Sequence, residues 1–293
     1  MSIDVSGLYT NIPQTEGLEA IHDAHEDRNE KNISLDFIIK LLDLVLKNNI
    51  FEFNEEQFIQ LIGTAMGSRP APCYANIFMA KKIDTQIENL AKSYNFENPI
   101  KFFKRFLDDI FILFRGSLDN LHTFLQDLNS IHPTIKFTMS HTVPYQKEDS
   151  SLNCNCDIST SLAFLDTSCK ILDGKIIVDL YRKPTDRNQY LLTSSCHPAH
   201  VTSNIPFSLA LRIVRICSLT SDRDKRLSEL KNLLLERNYR PGIINAAIER
   251  AKNIPRVETL KKIESESKNQ RPVFVITYDP RLPSITNIVK KHC

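Results

Sequence analysis

Apolar residues recur at helical spacing over much of the first half of the chain. Phe37, Ile38, Leu41, Leu42, Val45 and Leu46 share one face of a predicted helix that starts at Ser34. Thr15 to His25 predicts an earlier helix, with Leu18, Ile21 and His22 on one side. Ser2 to Tyr9 predicts a short strand running into a turn at residues 10–13, and residues 49–54 alternate like a strand at a hairpin. Residues 63–94 open in a Gly/Pro-rich loop and continue as a helix through Ala75, Phe78, Ile83 and Ile87. After a hairpin at 101–114, a helix is predicted over Leu118–Leu128 and a strand over Ile135–Met139. Residues 146–161 are polar and predict a loop. Leu162–Asp166 and Lys175–Tyr181 predict a further hairpin joined at Asp173-Gly174. Beyond Pro206 the pattern is helical and basic to Ser267, and a strand-like piece at 273–278 precedes a last helix.

One segment breaks its own pattern. KFFKRFLDDIFILF, residues 101–114, sets Asp108 and Asp109 side by side inside an aromatic and aliphatic run. A buried, unpaired carboxylate costs several kcal/mol. The two charges must therefore occupy a turn, pair with cations or bind metal.

Composition narrows the class. The chain has 293 residues, 42% hydrophobic and 25% charged, which suits one large globular domain or two smaller ones. No stretch of about 18 apolar residues or apolar leader is present, so neither a membrane span nor a signal peptide is expected. Seven scattered cysteines predict reduced thiols in an intracellular protein. The charge is divided: residues 1–174 carry 15 Lys/Arg against 24 Asp/Glu, and residues 175–293 carry 22 against 11. A basic last third attached to an acidic body points to a polyanion partner for the basic part.

If the first strand pairs beside the hairpin, Asp4 lies next to Asp108 and Asp109. Three carboxylates at one sheet edge repel unless divalent cations neutralise them. Mg²⁺ suits such a site because it takes few protein carboxylates and keeps positions for phosphate oxygens and water.

The motifs resemble those of reverse transcriptases. DVSGLYTNIP at 4–13 looks like motif A, with an aromatic five residues after its Asp. GTAMGSRPAPCYANIFM at 63–79 looks like motif B, RFLDDIF at 105–111 like motif C, and FLDTS at 164–168 like the primer-grip motif E. LYRKPTDRNQYL at 180–191, SSCHPAHVTSNIP at 194–206 and LRIVRICS at 211–218 are similar to Penelope-like retroelements, relatives of telomerase reverse transcriptase. The resemblance runs from residue 2 to about residue 292.

The resemblance implies an α+β fold: an antiparallel palm sheet packed on helices (1–182), then a mainly helical, basic thumb and extension (183–293). It implies RNA-directed DNA polymerase activity on an RNA template and DNA primer with deoxynucleoside triphosphates, in the nucleus, without membrane or evident protein partner. Asp4, Asp108 and Asp109 would be catalytic, holding two Mg²⁺ ions, for which Mn²⁺ can substitute, with the carbonyl of Val5. Tyr9 would gate against a ribose 2′-hydroxyl. Gly63, Gly67, Ser68 and Asn76 would contact the nucleotide, and Phe164 and Leu165 the primer. Arg212, Arg215, Arg223, Lys225, Arg226 and Lys231 would follow the duplex phosphates. Lys136 and His141 lie near the place of the proton donor to pyrophosphate, and neither aligns with it.

Only Met-Ser-Ile precedes Asp4, and no GIY-YIG endonuclease follows. The expectation is palm and thumb without fingers, a weakly active or inactive fragment. The readings set against polymerase are a non-catalytic nucleic-acid-binding module and an inert relic. Cys154, Cys156, Cys196, His197 and His200 offer a competing zinc site of irregular spacing.

Overall fold

The computed structural model describes residues 1–93, 100–142, 157–159, 161–261, 278–279 and 281, leaving aside the side chains of 100, 101 and 157–159. It divides into two compact units, Met1–Phe164 and Leu165–Cys293. The boundary expected at 182/183 lies inside the second unit. The strand-like piece at 273–277, the last helix and most of the loop at 146–161 lie outside the described residues.

The first unit begins with β1 (Ser2–Val5), a short α1 (Leu8–Asn11), α2 (Gln14–Glu26) and α3 (Leu35–Lys47). The strand expected to reach Tyr9 stops at Val5 because Gly7 takes φ +57°, a left-handed turn that starts α1. Tyr9 therefore sits on a helical turn. The predicted Ser34 cap forms, its side chain accepting from the Phe37 amide at 3.4 Å. A hairpin follows, β2 (Ile50–Phe53) and β3 (Glu56–Ile59), turned by Asn54 and Glu55, both at positive φ. Both strands are exposed along their length, with Phe51 stacked on Phe58 at 5.6 Å.

The motif B helix is interrupted. α4 (Ala71–Phe78) passes through a π-helical turn (Met79–Asp84) into α5 (Thr85–Ser93). β4 (Ile100–Phe106) and β5 (Asp109–Phe114) form the hairpin, and α6 (Leu118–Ser130) leads to β6 (Phe137–Thr142). β7 (Asp157–Ser159), a strand inside the segment expected to be a loop, completes a sheet of order β4-β5-β1-β6-β7 by pairing with β6. The sheet is antiparallel except that β7 runs parallel to β6. β8 (Leu162–Phe164) closes the unit.

Alternation along the strands decides which face packs. Ile3, Val5, Ile110, Ile112, Phe137 and Met139 are buried with Leu8, Ile12, Phe78, Ile83 and Phe124 in one core. The residues between them, Asp4, Asp109 and Thr138, face away from it.

The second unit opens with the hairpin β9 (Thr167–Leu172) and β10 (Lys175–Leu180), turned by Asp173 and Gly174 at φ +49° and +71°. β9 is a strand that the sequence pattern had not separated. Helices α7 (Ala199–Ile216), α8 (Thr220–Glu236), α9 (Pro241–Lys252) and α10 (Arg256–Leu260) follow. Leu180, Ile213, Val214, Leu227, Leu230, Leu234 and Ile244 form its core. Among the described residues no helix is long and apolar enough to cross a membrane.

Candidate active site

Strand register assembles the acidic site. β1 pairs antiparallel with β5 so that Asp4 stands opposite Asp109, and the Val5 amide donates to the Asp108 carbonyl at 3.1 Å. Directly opposite residues of an antiparallel pair project to one face, and like charges so placed are destabilising. Asp4 reaches solvent, yet neighbouring protein atoms partly desolvate it, and this together with the Asp108 charge raises its carboxyl above the ordinary value. A negative field is thus built where the sheet meets the β4–β5 turn.

Among the described residues no three His, Cys, Asp or Glu side chains already form a group that could hold a metal. The acidic turn offers neighbouring hard oxygens, not a preformed cage. That donor set fits Mg²⁺, which binds through one or two carboxylates and leaves its other positions to water and phosphate.

Leu107, at the tip, takes φ +55°. A bulky residue there needs support, and Arg105 supplies it. The guanidinium donates to the Leu107 carbonyl at 2.9 Å and to Asn76 Oδ1 at 2.8 Å. It also grips both carboxylate oxygens of Asp84, at 2.6–3.1 Å. Its side chain is only 7% exposed. Arg105 was absent from the residues expected at the site, although it lies within the motif. The signal that could find it is an arginine three residues before Asp108 inside an apolar run.

The motif B residues divide. Gly63, at φ +74°, donates to the Ile12 carbonyl at 3.0 Å, and a Cβ there would lie 2.3 Å from the Tyr9 carbonyl oxygen. What approaches Gly63 closely is therefore the motif A backbone. Gly67, at φ +96°, faces open space. Thr64 Oγ1 and Ser68 Oγ are buried with no hydrogen-bond partner among the described residues. Asn76 is exposed on α4, with its side-chain oxygen engaged by Arg105. Tyr9 is half-buried against the core, and its carbonyl accepts from the Thr64 amide at 2.7 Å.

Phe164 lies 5.2 Å from Phe111, ring to ring, on the open face of the sheet. Leu165 is exposed in a turn at φ +52°. Lys136 donates to the carbonyls of Asn129 and His132 at the end of α6. His141 is 3% exposed on the core side, and burial, with His122 nearby, holds its pKa below the ordinary value. Neither is presented on the acidic face.

In the second unit several expected phosphate ligands are occupied. Arg212 grips Asp166 at 2.6 Å, and Arg223 meets Asp224 at 3.0 Å. Arg226 holds Asp179 at 2.6 Å and Glu229 at 3.0 Å. Arg215 and Lys225 are exposed, and Lys231 is half-buried. Of the competing zinc set, Cys154 and Cys156 lie outside the described residues, and His197 Nδ1 is 2.9 Å from Ser195 Oγ. Cys73, Cys169, Cys196 and Cys217 are free thiols.

No curated protein matches the chain. A family model described as "Animal helix-turn-helix domain" matches residues 189–255, which span α7 to α9. Among solved structures, telomerase from Candida albicans in complex with a TWJ fragment of telomeric RNA matches with TM-score 0.55 at 9% identity, over 85% of this chain and 40% of that one. The Sicinivirus 3Dpol RNA-dependent RNA polymerase matches with TM-score 0.45 at 12% identity, over 85% and 51%. Apo telomerase from Candida tropicalis, truncated from its C-terminal domain, matches with TM-score 0.42 at 14% identity, over 61% and 35%. The chain thus spans about a third to a half of the length of these structures. The Candida albicans similarity shows the fold: α+β, with a polymerase palm and thumb.

Proposed function

We propose that the chain is the palm and thumb of an RNA-directed DNA polymerase of the Penelope-like type, acting in the nucleus on a DNA primer annealed to an RNA template. The observation that carries this reading is the β1–β5 register, which sets Asp4 opposite Asp109 with Asp108 in the adjoining turn. Asp4, Asp108 and Asp109 would hold two Mg²⁺ ions, with the Val5 carbonyl adjacent. When bound, the ions would stabilise the attacking and leaving oxygens of an in-line nucleotidyl transfer.

The remaining roles belong to the protein. Tyr9, behind the acidic strand, would exclude a 2′-hydroxyl from the incoming nucleotide. Gly67 leaves open space for a nucleotide, while the Ser68 hydroxyl is buried with no hydrogen-bond partner among the described residues and would reach a nucleotide only after the loop shifts. Phe164 and Leu165 would support the primer terminus. Arg215, Lys225 and Lys231 would contact duplex phosphates. A second reading, a nucleic-acid-binding module without catalysis, is favoured by the helix-turn-helix match over 189–255.

Mn²⁺ binding and Mg²⁺-dependent deoxynucleotide incorporation, each compared with Asp108→Asn, test the reading. Mn²⁺ binding that Asp108→Asn weakens, with duplex binding retained, is the expected result. Mn²⁺ binding or incorporation indifferent to Asp108→Asn would overturn it.

A further inference from the structure

Arg105 touches neither Asp108 nor Asp109 in any bond described above, yet it is tied to the peptide that precedes them. All five N–H donors of its guanidinium find acceptors. Nε and one terminal nitrogen hold Asp84, and the other terminal nitrogen bridges Asn76 Oδ1 and the Leu107 carbonyl. The remaining donor points to the Asn76 carbonyl at 3.5 Å. The guanidinium spreads five N–H donors over three nitrogens in one plane, whereas an ammonium carries three on a single nitrogen and cannot occupy all of these positions.

These acceptors belong to different elements. Asn76 lies on α4, Asp84 ends the π-helical turn, and Leu107 is the left-handed residue at the tip of the hairpin. The π-helical turn inserts an extra residue into the helix, a feature common at functional sites. Here the inserted turn ends at the carboxylate that anchors Arg105. Strand β1 lies on the far side of the tip, where the Val5 amide bonds to the Asp108 carbonyl.

We infer that Arg105 is a positioning residue: it sets the height of the Asp108–Asp109 turn against Asp4 and couples that turn to the motif B helix. The clamp stands on the hydrogen bonds alone. Its consequence for metal binding rests on the proposed function. A change in α4, on which the nucleotide-facing loop is mounted, would be transmitted through Asn76 and Arg105 to the acidic turn.

The test is Arg105→Lys, which keeps a charge for Asp84 but cannot reach all three partners. Amide hydrogen exchange of Val5, read by NMR, reports the turn through its bond to Asp108. The Ser6 amide is the control, because it bonds the Lys136 carbonyl at 2.8 Å on the other side of β1. Exchange at Val5 should quicken by about tenfold or more while Ser6 keeps its protection. Equal quickening of both amides, or of neither, would overturn the clamp. If Arg105→Lys does not fold, Asn76→Ala removes one anchor without stranding a buried charge, and an unchanged Val5 rate in that variant would overturn it equally.

A second arm uses Mn²⁺ alone. Affinity should fall by roughly 10–100-fold in Arg105→Lys, as for other residues that orient metal ligands. If Asp108→Asn loses Mn²⁺ while Arg105→Lys retains full affinity, the positioning role fails. If Asp108→Asn binds Mn²⁺ as well as the wild type, the metal reading fails, and the exchange result still decides the clamp.

Discussion

The strands of the first unit and the helices of the second treat their charged residues in opposite ways. On β1 and β5 the hydrogen-bonded register alone fixes that Asp4 and Asp109 face each other. On α7 and α8 packing decides case by case, and Arg212, Arg223 and Arg226 end in ion pairs with Asp166, Asp224 and Asp179 while Arg215 and Lys225 are exposed. The sheet register sets two like charges opposite each other, and the helices set opposite charges against each other. Under the proposed function, this register sets the carboxylates of Asp4 and Asp109 where an external cation would bind. Matched charges mark a unit holding itself together.

The largest effect expected from this contrast is at the acidic turn. With a fingers segment joined upstream, Asp108→Asn should lower deoxynucleotide incorporation by about a thousandfold or more, since metal ions supply several kcal/mol of charge stabilisation and each 1.36 kcal/mol is tenfold in rate. Primer–template affinity should change little. Removing a carboxylate from a repelling set should also leave the melting temperature level or slightly higher. A marked drop in melting temperature would show that the acidic turn is structural.

The mirror experiment belongs to Arg226. Arg226 and Asp179 are about three-quarters buried, at 24% and 21% exposure. Arg226→Ala strands Asp179 and should cost about 2–4 kcal/mol in urea unfolding, somewhat below the usual cost of breaking a fully buried pair. Burial pushes the Asp179 carboxyl up, but hydrogen bonds from Arg226 and the Leu180 amide outweigh it and bring the pKa below 3.8. A depressed pKa contributes stability that is present above the unfolded value and lost as pH falls through the folded one. The wild type should therefore lose stability below about pH 4 through this group, and Arg226→Ala should show a shallower acid limb. A loss of nucleic-acid affinity without loss of stability would reverse the assignment.

Two glycines of one motif sharpen the contrast on a smaller scale. Gly63→Ala forces a Cβ to 2.3 Å from the Tyr9 carbonyl at a positive φ, and should cost about 2–3 kcal/mol by overpacking and backbone strain. Gly67→Ala meets nothing within 4 Å, so only its backbone strain of about 1–2 kcal/mol applies. Any larger effect of Gly67→Ala should appear in nucleotide KM, because the space it fills is open. Equal unfolding costs for the two would mean that the loop, not the contact with motif A, limits stability.

The hairpin and its place beside the first strand, with Asp4 opposite Asp109, are legible because period-two alternation and a turn leave little freedom in which residues meet, whereas β7 lies where a loop is expected. The helices of the second unit were legible as helices, but not the fate of their cations. Arg226 and Lys225 are adjacent in sequence, and only packing shows that one turns toward Asp179 and the other toward water. The sequence pattern carries β1 on toward Tyr9, but a left-handed Gly7 ends it at Val5. The motif resemblance points Gly63 at a nucleotide, while the atoms against it are those of Tyr9 and Thr10. Arg105 was hidden because its partners, Asn76 and Asp84, are remote in sequence and brought together by a π-helical turn that no local pattern announces.

The smallest effect is read in the salt dependence of duplex binding. Each phosphate contact contributes about 0.9 to the slope of log K against log salt concentration. Arg215 and Lys225 are exposed side chains. Replacing either with Ala should lower the slope by about 0.9 and leave stability within about 0.5 kcal/mol. Arg212 already holds Asp166 at 2.6 Å. Arg212→Ala removes a cation but releases a carboxylate, so the local charge presented to a phosphate was near zero before the change. Its slope should match the wild type, with a modest fall in affinity from the freed Asp166. Fluorescence anisotropy with a labelled primer–template between about 50 and 200 mM salt measures all three. A slope that falls equally in all three variants would mean that the Arg212–Asp166 pair opens on binding and that ion pairing in this unit is a resting arrangement. A slope unchanged in every variant would remove Arg212, Arg215 and Lys225 from the nucleic-acid interface and leave the acidic turn as the charged site to pursue.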